Sequence, residues 1–223
     1  DDVTGDKSVI AELTGYRYEN FKEEAASSLT ASEDPFMMRT GDTWHIVSAV
    51  DTWMFLAGHF TDEDLNRFRS VVLRVLTEPD PKLELPTDQR WMAAVHGKRR
   101  KFSYELRRGL AQSLALLGTY GERVVLNHGL TGARFANILV RDLLAHATAD
   151  ESQNGWKSIS DILPYLAEAG PEAFLNEVED ALIGEKPVLT TIFGNGGDDA
   201  DFLSSSSEHT GLLWSLECVS WAP

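Results

Sequence analysis

The 223-residue sequence predicts a mainly α fold, an irregular HEAT- or TPR-like α-solenoid with a short winged-helix-like β-hairpin near its start. Three observations predict it. Apolar residues recur at helical spacing through most of the chain, and caps, glycines and prolines cut that pattern into short helices. A single stretch, FMMRTGDTWHIV, instead sets two apolar runs around a turn. The expected organisation is a winged-helix-like tail over residues 1–47 and a helical repeat-like array of about ten helices over 48–223.

Residues Ser8 to Gly15 form a first helix with Val9, Ile10 and Leu13 inward and Gly15 as its stop. Phe21, Ala25 and Leu29 recur every fourth residue in a second, from about Tyr18 to Leu29. Thr40-Gly41-Asp42 then reverses a hairpin, because glycine tolerates the positive φ of a tight turn. From Ser48 on the pattern is helical. Val50, Trp53, Met54 and Ala57 share a face that Gly58 and His59 end. Thr61 opens the next helix, with Asp64 three residues on as an approximate capping box, and Leu65, Phe68, Val72, Val75 and Leu76 make its stripe. Pro79 and Pro81 stop it, and PDPKLELP reads as an extended connector.

Thr87 can cap a helix carrying Trp91, Met92 and Val95, with Gly97 as its end. Ser103 caps the central helix, where Leu106, Leu110, Leu114 and Leu117 line one face while Gly109, Ala111 and Ala115 leave room for a neighbour. Arg123 to Leu130 is short and apolar, a strand or another helical turn. Phe135, Ile138, Leu139, Leu143 and His146 define a long helix to about Ala147, followed by the polar loop ADESQNG. Asp161 is the expected cap of a helix through Ala169, with Pro164 in its first turn. Gly170-Pro171 joins it to a helix carrying Phe174, Leu175, Val178 and Leu182, an αα-hairpin. A short helix near Val188 to Phe193 precedes a low-complexity loop, GNGGDDADFLSSSSEH, and Thr210 to Trp221 form a last apolar helix.

Apolar runs are broken by charge well before the roughly 20 residues a membrane-spanning helix needs. The single Cys218 sits among Leu216, Val219 and Trp221 as an expected buried thiol, and one cysteine suits a reducing cytoplasm. Six tryptophans, Trp44, Trp53, Trp91, Trp156, Trp214 and Trp221, read as core and inter-helix packing. The start, DDVTGDKSV, lacks a Met, a basic n-region and an apolar h-region, so a piece of a longer polypeptide without a secretory signal is expected.

Net charge is −15 but unevenly spread. Asn66 to Leu110 holds eleven Lys/Arg against five Asp/Glu, a local +6, leaving −21 elsewhere. Within it, Lys98, Arg99, Arg100, Lys101, Arg107 and Arg108 are the candidate partner-binding residues. Beside the N-terminus of the Ser103 helix they could hold an acidic protein partner or a nucleic-acid backbone. A solvated loop paired with the acidic flanks is the alternative. Residues 1–48 hold ten acids and four bases, which argues against DNA reading by the hairpin region.

No catalytic residue, metal site or cofactor is expected. The six histidines never fall at i, i+4, and no HExxH, G-x-S-x-G or P-loop motif occurs. Asp198, Asp199 and Asp201 lack EF-hand spacing, and Ser204 to Ser207 beside His209 lack a nucleophile elbow.

The phrases DTWHIVSAVDTW, GKRRKFSYELRRGLAQSLALLG, ILPYLAEAGPEAFLNEVEDAL and HTGLLWSLECVSW resemble the C-terminal helical region of large bacterial STAND-type NTPases linked to antiphage defence. The resemblance implies that residues 1–47 are the tail of a winged helix and 48–223 the start of a helical array that recognises a target or controls oligomerisation. The expected function is therefore a non-catalytic protein-interaction or sensor region, whose partners are proteins or other domains of the same polypeptide. A nucleic-acid or acidic-partner binding module at Lys98–Arg108 is the alternative.

Overall fold

In the computed structural model, which describes residues 2–28, 35–41, 43–193 and 208–220, the chain is mainly helical with one two-stranded antiparallel sheet. Helices α1 (Asp2–Thr14) and α2 (Tyr18–Ser28) come first, separated at Gly15, whose φ of 73° only glycine adopts without strain. Strands β1 (Met37–Thr40) and β2 (Thr43–Ile46) follow, with Met37 opposite Ile46 and Thr40 opposite Thr43. Gly41 makes the turn at φ 63°.

Helix α3 (Ala49–Leu56) starts at Ser48, whose hydroxyl accepts from the Asp51 amide. The face expected to be inward stays largely outside. Val50, Met54, Phe55 and Leu56 are exposed, and only Trp53 and Ala57 reach the core. Three apolar residues of eight at helical spacing were enough to predict a buried face, but α3 has little besides α5 beside it.

Helix α4 (Asp62–Leu76) carries the full capping box. The Thr61 hydroxyl accepts from the Asp64 amide at 3.3 Å, and the Asp64 carboxylate accepts from the Thr61 amide at 2.9 Å. Its predicted stripe is buried except for the half-buried Phe68, and Val71 joins it. Burial raises the Asp64 carboxyl less than the Thr61 hydroxyl and backbone lower it, with Arg67 adding to the lowering. Thr61→Ala is expected to lose about 1 kcal/mol of stability in urea unfolding at neutral pH. Because the folded-state value lies below the ordinary 3.8, the Asp64 contribution is full above that pH and disappears as pH falls through the folded value. The gap between wild type and Asp64→Ala is expected to close in acid.

The connector after α4 is not extended: Pro81–Glu84 is a 3-10 turn that buries Leu83. Thr87–Met92 is also a 3-10 turn rather than an α-helix, and Trp91 and Val95 are 80% and 83% exposed. A 3-10 period of three breaks up the face that an α-helix would have gathered. Gly97 ends this segment at φ 69°.

Helix α5 (Tyr104–Tyr120) is the centre of the fold. Ser103 caps it through the Leu106 amide, and Leu110, Ala111, Leu114, Ala115 and Leu117 are buried, with Leu106 at the margin. The glycine that admits a neighbour is Gly118 and not Gly109: a Cβ on Gly118 would lie 2.6 Å from the Ala169 carbonyl carbon, whereas Gly109 faces open space. The ambiguous segment 123–130 resolves as two 3-10 turns closed by a bridge between Val125 and Thr131.

Helix α6 (Gly132–Thr148) is capped by Thr131 and buries Phe135, Leu139 and Leu143, while His146 is exposed. In the loop ADESQNG, Asp150 accepts from the Ser152 hydroxyl and the Asn154 amide. Helix α7 (Gly155–Ser158) buries Trp156 completely, its indole N–H donating to Thr148. Helices α8 (Leu163–Ala169) and α9 (Pro171–Ala181) join at Gly170-Pro171 as expected. Asp161 is not the cap of α8; Ile162 holds that position and Asp161 faces Arg107. Phe174 and Val178 are buried, but Leu175 and Leu182 are exposed.

Val188–Phe193 is a 3-10 turn. The low-complexity loop, with Asp198, Asp199, Asp201 and Ser204 to Ser207, lies outside the described residues. Helix α10 (Glu208–Ser220) buries Leu212 and Ser215 and rests Val219 on the core. Cys218 is exposed, as is Trp214. A thiol reagent is expected to label Cys218 in the native protein as fast as in the unfolded chain.

Their contacts order the helices in two rows. In one, α3, α5, α8 and α10 touch in that order; in the other, α4, α6 and α9. Between the rows α4 meets α5, α5 meets α6, and α8 meets both α6 and α9. α1 packs on α4 and puts Val9 into the same core, across the boundary expected at residue 47. Among the described residues no helix is long and apolar enough to cross a membrane.

Candidate functional site

The six candidate cations do not form one surface. Their separation begins with the end of α4. The last carbonyls of a helix have no partner within it and carry the negative end of its dipole. Arg107, one turn into α5, reaches across: one terminal nitrogen donates to the Val75 carbonyl at 2.6 Å, and the other to the Ser158 carbonyl at 3.2 Å. The side chain is fully buried, so Arg107 is not the exposed, partner-facing cation expected from the sequence. It sits three, four and seven residues before Leu110, Ala111 and Leu114, on the apolar stripe itself.

Arg100 joins the same node. It donates to the Glu78 carbonyl at 2.9 Å, to the Asp80 carboxylate at 3.0 Å and to the Ser158 carbonyl at 2.7 Å. Ser158 returns a contact by accepting from the Asp80 amide through its hydroxyl. Two arginines thus tie the end of α4, the connector after it and the end of α7 to the start of α5.

The remaining four are nearer to solvent. Lys98 pairs with Glu84, Lys101 lies 5.6 Å from the centre of the Phe102 ring, and Arg108 donates to the Tyr165 hydroxyl at 3.0 Å. Arg99 is exposed and has no ion pair or hydrogen bond among the described residues. The run is therefore split between two internal ties and a few separate surface groups. Counting charges along the sequence missed this because residues 98–101 lie on an irregular segment, while on α5 Arg107 is buried and Arg108 exposed.

Arg99, Arg100 and Arg107 do converge on one feature, a cleft of about 360 Å³ at the start of α5, with Phe102, Ser103, Tyr104 and Asp161. Asp161 approaches the Arg107 guanidinium only to 3.8 Å. Burial pushes the Arg107 guanidinium down to about 10, helped by the charge of Arg100 and opposed by Asp161, Glu78 and Asp80, so it stays cationic at neutral pH. Its Nε–H is buried with no acceptor among the described residues.

A second, polar cleft of about 200 Å³ lies between α6 and α9, with Arg141 facing Glu172 and Glu177. Burial, then Asp180, raises the Glu177 carboxyl, and Arg141 opposes them. Among the described residues no three His, Cys, Asp or Glu side chains are grouped as metal ligands would be.

Apolar surface is the other feature that sequence reasoning missed. Phe36 at the edge of β1 stacks edge-on against Phe55 of α3, with ring centres 6.3 Å apart. Met38, Ile46, Val47, Val50, Met54 and Leu56 are exposed around the same hairpin and helix. Part of the signal was present in the sequence, since Phe36, Met37 and Met38 are apolar in succession, as in a strand covered on both faces, although Trp44 and Ile46 alternate with Thr43 and His45. No family model matches the chain, and no curated protein or solved structure matches it either.

Proposed function

We propose that this chain is a non-catalytic protein-interaction or sensor region, an irregular HEAT- or TPR-like solenoid with a winged-helix-like tail, within a larger bacterial protein of the defence-linked STAND NTPase kind. The observation that carries the reading is the two-row order of the helices, in which each helix meets the next in its own row and its neighbours across. The exposed apolar residues of the hairpin and α3 are the kind of surface that meets another protein. The parent class rests on the sequence resemblance alone, and the cytoplasmic setting on the single cysteine.

A nucleic-acid surface at Lys98–Arg108 draws less support, because Arg100 and Arg107 are committed to internal carbonyls and Lys98 to Glu84. Two measurements test the interaction reading. Small-angle scattering is expected to give a radius of gyration clearly above the about 17 Å of a compact chain of this length. Incubation with ATP or GTP and magnesium is expected to release no phosphate above buffer; sustained turnover by this chain alone would sink the proposal.

A further inference from the structure

We propose that the β1–β2 hairpin and α3 form a face through which two copies of this chain pair. This deepens the interaction reading by naming the partner, and it rests on that reading.

The face is continuous. Apart from α5 and the turn at Ala57–His59 little packs on α3, so Val50, Met54, Phe55 and Leu56 stand exposed over most of its girth. Phe55 meets Phe36 edge-on, which carries the surface on to the hairpin. The Val47 amide donates to the Phe36 carbonyl, so the two residues lie opposite each other and, by alternation along a strand, share a side with Met38. Met38 and Val47 are more than half exposed.

Its size fits a second copy. Leaving out Ile46, which lies on the hairpin's other side, eight large apolar residues from Phe36 to Phe60 stand 36% to 70% exposed. Taking about 200 Å² for a whole residue of this kind, they offer on the order of 700 Å². Each partner in a stable interface buries about 800 Å². Phe and Met with little charge is also the composition of an interface core.

Charge points to the same partner. From Phe36 to Phe60 the formally charged residues are Arg39, Asp42 and Asp51, in a chain of net charge −15. Two copies repel across most of their surfaces and least across this one. A partner of opposite charge would instead be drawn to the acidic remainder.

The strand edge completes the match. The bond between Val47 and Phe36 sets the alternation of the ladder, so the amides and carbonyls of Met37 and Ile46 point away from the hairpin. Among the described residues no hydrogen bond reaches them. A two-stranded hairpin is marginal by itself. A two-fold axis sets an antiparallel edge against its own copy, so each hairpin supplies the strands the other lacks.

Sedimentation velocity of the whole chain between roughly 1 and 100 μM tests the pairing. A shift from 24.7 kDa to twice that mass is expected, with a dissociation constant of about 10 μM or tighter. Raising salt from about 50 to 500 mM should leave the pairing as tight or tighter, since salt screens like charge. Met54→Asp on α3 and Val47→Asp on the hairpin are each expected to raise the constant at least about tenfold, because each buries an unpaired carboxylate. Val95→Asp, at an exposed residue outside the face, should leave it unchanged. All three positions are exposed, so each variant should keep the wild-type helix content by circular dichroism.

A chain that stays at 24.7 kDa at roughly 100 μM would overturn the proposal. So would a dimer that Met54→Asp and Val47→Asp both leave intact, or that salt takes apart. Assembly beyond two copies would do the same, because a two-fold face closes on itself. None of these outcomes touches the phosphate-release test, so the interaction reading stands or falls separately. Scattering for that reading is taken on Met54→Asp, which keeps doubling apart from elongation.

Discussion

Arg107→Ala is expected to lower stability by about 3–5 kcal/mol. The variant leaves the Val75 carbonyl without its Arg107 donor, at a cost of about 1–3 kcal/mol, and strips the Ser158 carbonyl of one of its two arginine donors. It also empties the volume of a fully buried long side chain. Arg107→Lys is expected to recover only part of the loss, because one ammonium cannot span carbonyls on α4 and α7 as a planar fork does. Arg108→Ala, one residue on and exposed, should leave the midpoint essentially unchanged. Urea unfolding of the three variants checks the order. Equal midpoints for Arg107→Ala and Arg108→Ala would show that the node at Ser158 holds nothing.

Gly118→Ala and Gly109→Ala are expected to act in opposite directions although both lie within α5. A methyl group on Gly118 would sit 2.6 Å from the carbonyl carbon and Cα of Ala169, with backbone that cannot rotate away. α5 and α8 must then separate, at a cost of about 1–3 kcal/mol or more. At Gly109 the same methyl group meets nothing, and replacing a helix-interior glycine should stabilise by about 0.5–1 kcal/mol. Thermal unfolding of the pair separates close packing from helix propensity, since propensity alone would raise both midpoints.

What could be read from the residues was local. The caps at Ser48, Thr61 and Ser103, the stop at Gly15, and the Gly170-Pro171 junction are each decided by a few neighbouring atoms, and each is in place. What failed depended on partners distant in sequence. Gly109 and Gly118 look alike until α8 is present. Trp91 and Val95 look like core until the segment proves to be a 3-10 turn. Cys218 follows Leu216 in an apolar run, yet α10 is covered only on the Leu212–Ser215 side.

The cleft was legible only in outline. Its cations were picked out by sequence, but the one that matters most to it, Arg107, was grouped with its exposed neighbour. Its spacing to Leu110, Ala111 and Leu114 already placed it on the inner face. Asp161 entered only through folding, since nothing local links residue 161 to the start of α5.

The two rows also set how the molecule can come apart. α5 is gripped by helices from both rows, whereas α10 leans chiefly on α8 and on the 3-10 turn before it. Losing α10 would uncover one side of α8 and disturb little else. Fewer elements hold α10 than hold α5, so local opening is expected to start at the last helix before it reaches the centre.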